Sequence, residues 1–176
     1  MILTSAISWI LGNAEVVLFV IALIVTIVKV RRAHFARRVV TTSYVLWGEM
    51  LFYVIGIGFI YGGLMHAYAQ SLVAPTIGWT PSPFEYELGW CEVGVGIVAL
   101  MSLWRGYELR LATTVITFVF SWAAAAQHIS QIATLHNYAP GNAGIILWFD
   151  DIALPLFFII LAWLSREAHE RTERTY

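Results

Sequence analysis

The basic residues of this chain are confined to three short stretches that alternate with long apolar runs. All ten Lys and Arg residues fall within residues 29–38, 105–110 and 166–174, and the runs between these stretches carry none. In membrane proteins, lysine and arginine are in excess in the cytoplasmic loops. The pattern therefore predicts that all three stretches are cytoplasmic, that the chain crosses the bilayer five times, and that its N-terminus is outside.

The apolar runs have the length of transmembrane helices. The predicted spans are residues 9–30, 42–69, 83–104, 109–135 and 144–164, and each is near or above the ~20 apolar residues that a ~30 Å hydrocarbon core requires. The chain is 60% apolar and only 12% charged, whereas a soluble domain is about 25% charged. We expect an all-α, polytopic transmembrane helical bundle with five transmembrane helices, N-out/C-in. It forms a single domain over residues 1–176.

Two local patterns refine this picture. Ser82-Pro83-Phe84-Glu85 places Ser at an N-cap, Pro at the first helical position and Glu at the third, which is a capping box that gives Glu85 a structural role. The second span is rich in glycine, with Gly58 and Gly62 at the spacing that lets membrane helices approach closely. The other glycines of this span are Gly48, Gly56 and Gly63.

Seven of the eleven acids lie in the membrane or on its outer side, where the sequence offers no lysine or arginine. They are Glu15, Glu49, Glu85, Glu87, Glu92, Asp150 and Asp151. At ~1.5 Å per helical residue, Asp151 and His128 are each about 10 Å below the outer ends of their spans. Glu87 and Glu92 enter the third span from the same side, and His66 ends the second span there. These groups are predicted to converge on the outer third of the bundle, while Glu49 is near mid-depth.

The phase of the fourth span supports an inward orientation for His128. Polar or small residues recur at alternating intervals of three and four, namely Thr114, Thr117, Ser121, Ala124, His128 and Gln131. Such a stripe should face the bundle, because a charge facing lipid at the membrane centre costs at least ~2.5–3.5 kcal/mol. In the fifth span, Pro155 has no N–H for the carbonyl of Asp151, so we expect the helix to be broken beside that carboxylate.

Several carboxylates this close together cannot all stay ionised without protons or a cation. Mixed His/carboxylate sets suit iron, manganese or zinc, so a divalent metal is one prediction. Its candidate ligands are His128, Asp151, Glu87, Glu92 and His66. Protonated acids that hydrogen-bond across helices are the alternative. His66 and His128 as the two axial ligands of a b-type haem are a further alternative.

Three functions follow from these patterns, and the sequence does not decide whether the protein is an enzyme. The first is a membrane-embedded metal or cation site that is open to the outer side. The second is an accessory or structural subunit of a larger membrane complex. The third is a proton- or cation-coupled carrier, with Glu49 in the proton or ion pathway. The expected partners are the lipid bilayer and a homo-oligomer or larger membrane complex, and no nucleic acid is expected.

Two motifs resemble a family of uncharacterised prokaryotic multi-pass membrane proteins. They are GWTPSPFEYELG at residues 78–89 and NYAPGNAG at residues 137–144, the second followed by Asp151 and Pro155. In that family an Ser-Pro-Phe-Gln start leads to an acid two residues on, which corresponds to Glu87, and a His before the Asn-rich turn corresponds to His128. This chain has Glu85 where Gln is usual and Glu92 where Asn is common. The resemblance implies a location in the prokaryotic cytoplasmic membrane and names no reaction.

Overall fold

Helices make up all the regular secondary structure in the part of the chain that the structure describes. The computed structural model describes the backbone of residues 12–173 and the side chains of residues 12–166. The long helices are α1 (Ala14–Phe35), α2 (Thr42–Tyr68), α3 (Phe84–Trp104), α4 (Tyr107–Leu135) and α5 (residues 146–173). Shorter helical turns at Gln70–Val73, Ala74–Ile77 and Pro140–Ala143 lie in the two connections predicted to be on the outer side.

Four stretches are long and apolar enough to cross a membrane. They are α2, α3, α4 and the segment Pro140–Arg166, which contains most of α5. Their ends agree to within four residues with the predicted spans 42–69, 83–104, 109–135 and 144–164. The all-helical fold and these four spans are confirmed.

The first helix differs from the other four. The apolar stretch of α1 between Glu15 and Lys29 has thirteen residues, which is short of the ~20 that a span requires. The predicted first span begins at residue 9, and residues 9–11 lie outside the described part of the chain. The fifth span, and with it the N-out/C-in orientation, therefore stays a prediction.

Helix α2 is central to the bundle, since it packs against α1, α3 and α5, and α4 packs against α5. The hydrophobic core lies mainly between α1, α2 and α5, where Trp47, Met50, Leu51 and Phe158 are completely buried. Lipid tails are as apolar as these side chains, so van der Waals packing rather than exclusion of water stabilises such a contact.

Glycines set the close approach of α2 to α3. A Cβ atom at Gly63 would collide with the carbonyl oxygen of Gly89, and a Cβ at Gly89 would collide with that of Gly63. The predicted close packing of glycines is therefore confirmed, but at Gly63 rather than at Gly58 and Gly62. At each of those two positions a Cβ would meet its nearest neighbour at an ordinary 3.6 Å.

The capping box at the start of α3 is confirmed. The N–H of Ser82 donates to Oε1 of Glu85 at 3.1 Å, and the N–H of Phe84 donates to Oγ of Ser82 at 3.2 Å. These two bonds satisfy N–H groups that a helix start leaves without partners. They also fix the outer end of α3 at the level where the acids of this helix enter the bundle.

Two helices contain a π-helical segment, Leu51–Ile57 in α2 and Ile146–Ala153 in α5. In α5 the N–H of Leu154 donates to the carbonyl of Phe149, five residues earlier. The predicted break at Pro155 thus takes the form of a widened ladder that ends just before the proline. Such segments are frequent at functional sites, and this one carries both Asp150 and Asp151.

Candidate functional site

His128 is held by a buried asparagine from the Pro140–Ala143 turn. Oδ1 of Asn142 lies 2.7 Å from Nδ1 of His128, while Nδ2 donates to the carbonyls of His128 and Asn137 at 3.3 and 2.9 Å. Because both donor contacts of the amide go to carbonyls, its oxygen faces the imidazole, and Nδ1 of the ring must carry the proton. Nε2 of a neutral His128 is therefore an acceptor.

That acceptor faces a carboxylate. Nε2 of His128 lies 3.6 Å from Oδ2 of Asp151, and the two residues are only 7% and 8% exposed. The distance exceeds that of a hydrogen bond, and Oδ2 has no hydrogen-bond partner. A buried, unpartnered carboxylate oxygen thus points at a buried imidazole nitrogen.

Three more acids lie within electrostatic range of one another and of Asp151. Glu92 of α3 interacts with Glu15 of α1 and with Asp151, and Asp150 interacts with the same two residues. Oδ1 of Asp150 is buried and has no hydrogen-bond partner. We call this set the outer acid cluster: Glu15, Glu92, Asp150 and Asp151. It joins α1, α3 and α5 and contains no lysine or arginine.

An aromatic side chain covers the His128 ring. The ring of Trp79 lies 5.9 Å from that of His128, at an interplanar angle of 32°. Its loop is held by Asn137, whose Nδ2 donates to the carbonyl of Ile77 at 2.9 Å. Beside Trp79 is a cavity of about 410 Å³, which is lined by Gly78, Trp79, Thr80, Gln127 and Gln131. The cavity gives a route towards His128 from the side predicted to be external.

Glu87 does not join the cluster, although the sequence analysis made it a candidate ligand. Its side chain is exposed, whereas Glu85 and Glu92 are buried. Those two residues are seven positions apart and so lie on one face of α3, while Glu87 is about 200° around the helix from Glu85. The depth estimate was correct for Glu87, but depth does not determine which way a side chain faces.

His66 also belongs to a separate contact. Its Nδ1 lies 3.6 Å from Oε2 of Glu85, so it meets the capping residue of α3. The two histidines of the haem hypothesis therefore face different partners, and that hypothesis stays an untested prediction.

The expectation that Glu49 has no basic partner is wrong. Nζ of Lys29 lies 2.5 Å from Oε1 of Glu49, whose side chain is 3% exposed. Lys29 is on α1, and its flexible stem reaches the acid while about half of the side chain stays exposed, as long basic side chains commonly do. The sequence analysis assigned Lys29 to the cytoplasm and overlooked this reach.

A three-ligand metal site is not found among the described residues, where no three His, Cys, Asp or Glu side chains are placed to hold a metal ion. Of the candidate ligands, the structure brings together His128 and Asp151 and sets Glu92 within electrostatic range of Asp151. A bound iron, manganese or zinc ion stays an untested prediction.

The polar stripe of α4 faces the bundle, as predicted. Thr114, Thr117, Ser121 and His128 are buried, whereas Val115 and Trp122 are exposed. Nε1 of Trp47 on α2 donates to the hydroxyl of Thr114 at 3.0 Å. The hydroxyl of Thr117 is buried without a hydrogen-bond partner.

The sequence analysis assigned no role to Asn142 or Trp79. Both belong to the motifs at residues 78–89 and 137–144, and these two segments contact each other through the bond from Asn137 to Ile77. The only available signal was the motif itself. Nothing in single-residue chemistry indicates that a loop asparagine orients a histidine on the preceding helix.

The comparisons with known proteins give a family without an assigned activity. Residues 12–171 match the model of a family described as a family of unknown function (DUF6790). No curated protein and no solved structure matches the chain. Because the match spans nearly all of the 176 residues, the chain belongs to the DUF6790 family.

Proposed function

We propose that this is an integral protein of a prokaryotic cytoplasmic membrane that binds a proton at its outer acid cluster and acts as a proton-coupled carrier. The observation that carries the proposal is the contact between Nε2 of His128 and Oδ2 of Asp151 at 3.6 Å. Since Asn142 takes the proton on Nδ1, both facing atoms are acceptors until a further proton binds one of them.

A proton at this position resolves the conflict in either of two ways. It converts the pair to an imidazolium beside a carboxylate, or to an imidazole beside a carboxylic acid, and each arrangement has a donor facing an acceptor. Burial makes the proton valuable, because an isolated charge in an apolar environment is strongly disfavoured. The neighbouring acids increase the attraction, since each negative charge nearby favours uptake of a positive one.

A proton also fits the number of ligands better than a divalent metal does. Zinc sites use at least three protein ligands, and the described residues bring only His128 and Asp151 into direct opposition. Two facing acceptors are sufficient for a proton. Ionisable residues inside membrane spans commonly form the proton relays of pumps and transporters, which favours the carrier over the structural subunit.

Infrared titration of the purified protein tests the proposal directly. Protonated carboxylic acids absorb separately from carboxylates, so wild-type protein should show a band from the cluster that persists above the pH at which exposed acids ionise. Asp151→Asn should remove or shift that band. Glu87→Gln is the matched control, because it deletes an acid of the same helix region that lies outside the cluster, and it should leave the band unchanged.

Two results would contradict the proposal. One is a spectrum in which Asp151→Asn and Glu87→Gln have the same effect, since the cluster would then hold no special proton. The other is stoichiometric binding of added iron, manganese or zinc that both His128→Ala and Asp151→Asn abolish. That second result would replace the proton with a metal.

A further inference from the structure

We infer that the polar stripe of α4 connects the outer acid cluster to Glu49, and that protons cross the bundle along it. The inference rests on the proposed function, since the cluster is the point at which the proton enters. We call the connecting groups the polar seam: Thr114, Thr117, Ser121 and His128, all of which are buried.

The seam covers the part of the membrane that lies between the two sites. Thr114 and His128 are fourteen residues apart on one helix, which corresponds to about 21 Å along its axis. Successive members are three, four and seven positions apart and therefore share one face of the helix. The widest interval is filled by Ala125, which is 4% exposed and whose small side chain leaves the face unobstructed.

Thr117 provides an independent sign that the seam binds something. Its side chain is 1% exposed, and its hydroxyl has no hydrogen-bond partner. Thr113, on the same helix and equally buried, donates its hydroxyl to the carbonyl of Leu109 at 2.7 Å. A buried polar group without a protein partner commonly bonds to an internal water, and such a water at Thr117 would lie midway along the path.

At its inner end the seam meets α2. The bond from Trp47 to Thr114 sets that level, and Glu49 follows Trp47 by two residues. Two basic groups face Glu49, namely Lys29 of α1 in direct contact and Arg110 of α4 within electrostatic range. Glu49 is 2% exposed, and Lys29 is half exposed, so the pair links the buried path to the end of the bundle that is predicted to be cytoplasmic.

The transfer conserves protons and needs no other reactant. A proton enters between His128 and Asp151, passes along hydroxyls and waters of the seam, and protonates Glu49. Glu49 then releases a proton to cytoplasmic water, and its restored negative charge is again stabilised by Lys29. One proton is taken up outside for each proton released inside.

Proton flux into proteoliposomes tests the path. Purified protein is reconstituted in vesicles that contain a pH-sensitive dye, and an inward pH gradient is imposed while potassium and valinomycin clamp the membrane potential. Thr117→Val keeps the shape of the side chain and removes the hydroxyl, so we expect the flux to fall by about tenfold, as for a barrier raised by one hydrogen bond. Glu49→Gln removes the inner acceptor and should abolish the flux.

Thr113→Val is the matched control, because that threonine is equally buried but already bonds to its own helix. It should leave the flux unchanged. If it lowers the flux as much as Thr117→Val does, the effect comes from packing and the path is refuted. If wild-type vesicles show no flux while the infrared band of Asp151 is present, the path is refuted and the proton site stands. Loss of that band would refute the site itself.

Discussion

Buried charged groups in the two halves of the bundle differ in how completely their partners satisfy them. In the half predicted to be cytoplasmic, Arg110 and Glu49 are 5% and 2% exposed, and each has direct partners. In the opposite half, Asp150 and Asp151 each keep a buried oxygen without a hydrogen bond. A buried charge with all its bonds made indicates a structural role, whereas one left unsatisfied indicates a ligand that binds there.

Arg110 illustrates the first kind. Its guanidinium donates to the carbonyls of Ser102, Tyr44 and Leu103 at 2.9, 2.7 and 3.1 Å, and it lies 4.0 Å from the centroid of the Tyr44 ring. It therefore joins α2 and α3 to the start of α4. Gly48 makes room for it, since a Cβ at that position would be 2.9 Å from Cζ of Arg110.

The largest effect is expected from breaking the inner side of this comparison. Arg110→Met should lower the free energy of unfolding by roughly 3 kcal/mol or more, because three buried carbonyls lose their donor and each loss costs about 1–3 kcal/mol. Unfolding of the detergent-solubilised protein by added denaturing detergent measures it. Arg105→Met, at an exposed position of the same connection, is the control. Equal stability of the two variants would show that the three bonds contribute nothing.

A smaller effect is expected from Asn142, which belongs to the outer half but is fully satisfied. Asn142→Ala removes three hydrogen bonds around His128 and should destabilise the protein by roughly 2 kcal/mol. It should also change the tautomer of His128, since nothing then fixes the proton on Nδ1, and nitrogen NMR of labelled histidine detects this. Gln127→Ala, an exposed change beside His128, serves as the control. An unaltered histidine spectrum in the Asn142 variant would disprove the orienting role.

The smallest effect comes from making the same acid-to-amide change in each half. Glu49→Gln should cost about 1 kcal/mol, because the partner, Lys29, is half exposed and such pairs are weak. Asp151→Asn should leave stability unchanged or raise it by up to about 1 kcal/mol, since it removes a charge that is buried without a partner. Matched denaturation curves give both values. A larger loss at Asp151 than at Glu49 would reverse the comparison.

Sequence patterns determined the helices better than the site. The ends of α2 at Thr42 and Tyr68, and the start of α3 at Phe84, followed from apolar length and a capping box, which act through neighbouring residues only. The pairing of His128 with Asp151 followed from depth, because each lies a known number of residues from the end of its helix. Such features need no knowledge of how one helix is rotated against another.

Features that depend on that rotation were not predictable. Glu87 has the right depth and the wrong face, and Lys29 reaches Glu49 across two helices that the sequence could not orient. Asn142 acts through a turn folded back over α4, so its partner is fixed by tertiary contacts alone. The π-helical turns depend on hydrogen-bond spacing, for which Pro155 gave a hint only in α5.

The π-helical segment of α5 sets how far the outer end of this helix is rotated relative to the rest. Between Ile146 and Ala153 the ladder holds residues that regular α-helical spacing would turn by 100° for each position gained or lost. Deleting one residue there restores regular spacing and turns the two aspartates away from His128. The same deletion after Pro155 leaves the aspartates in place and shifts only the cytoplasmic end, so α5 tolerates length changes unequally along its course.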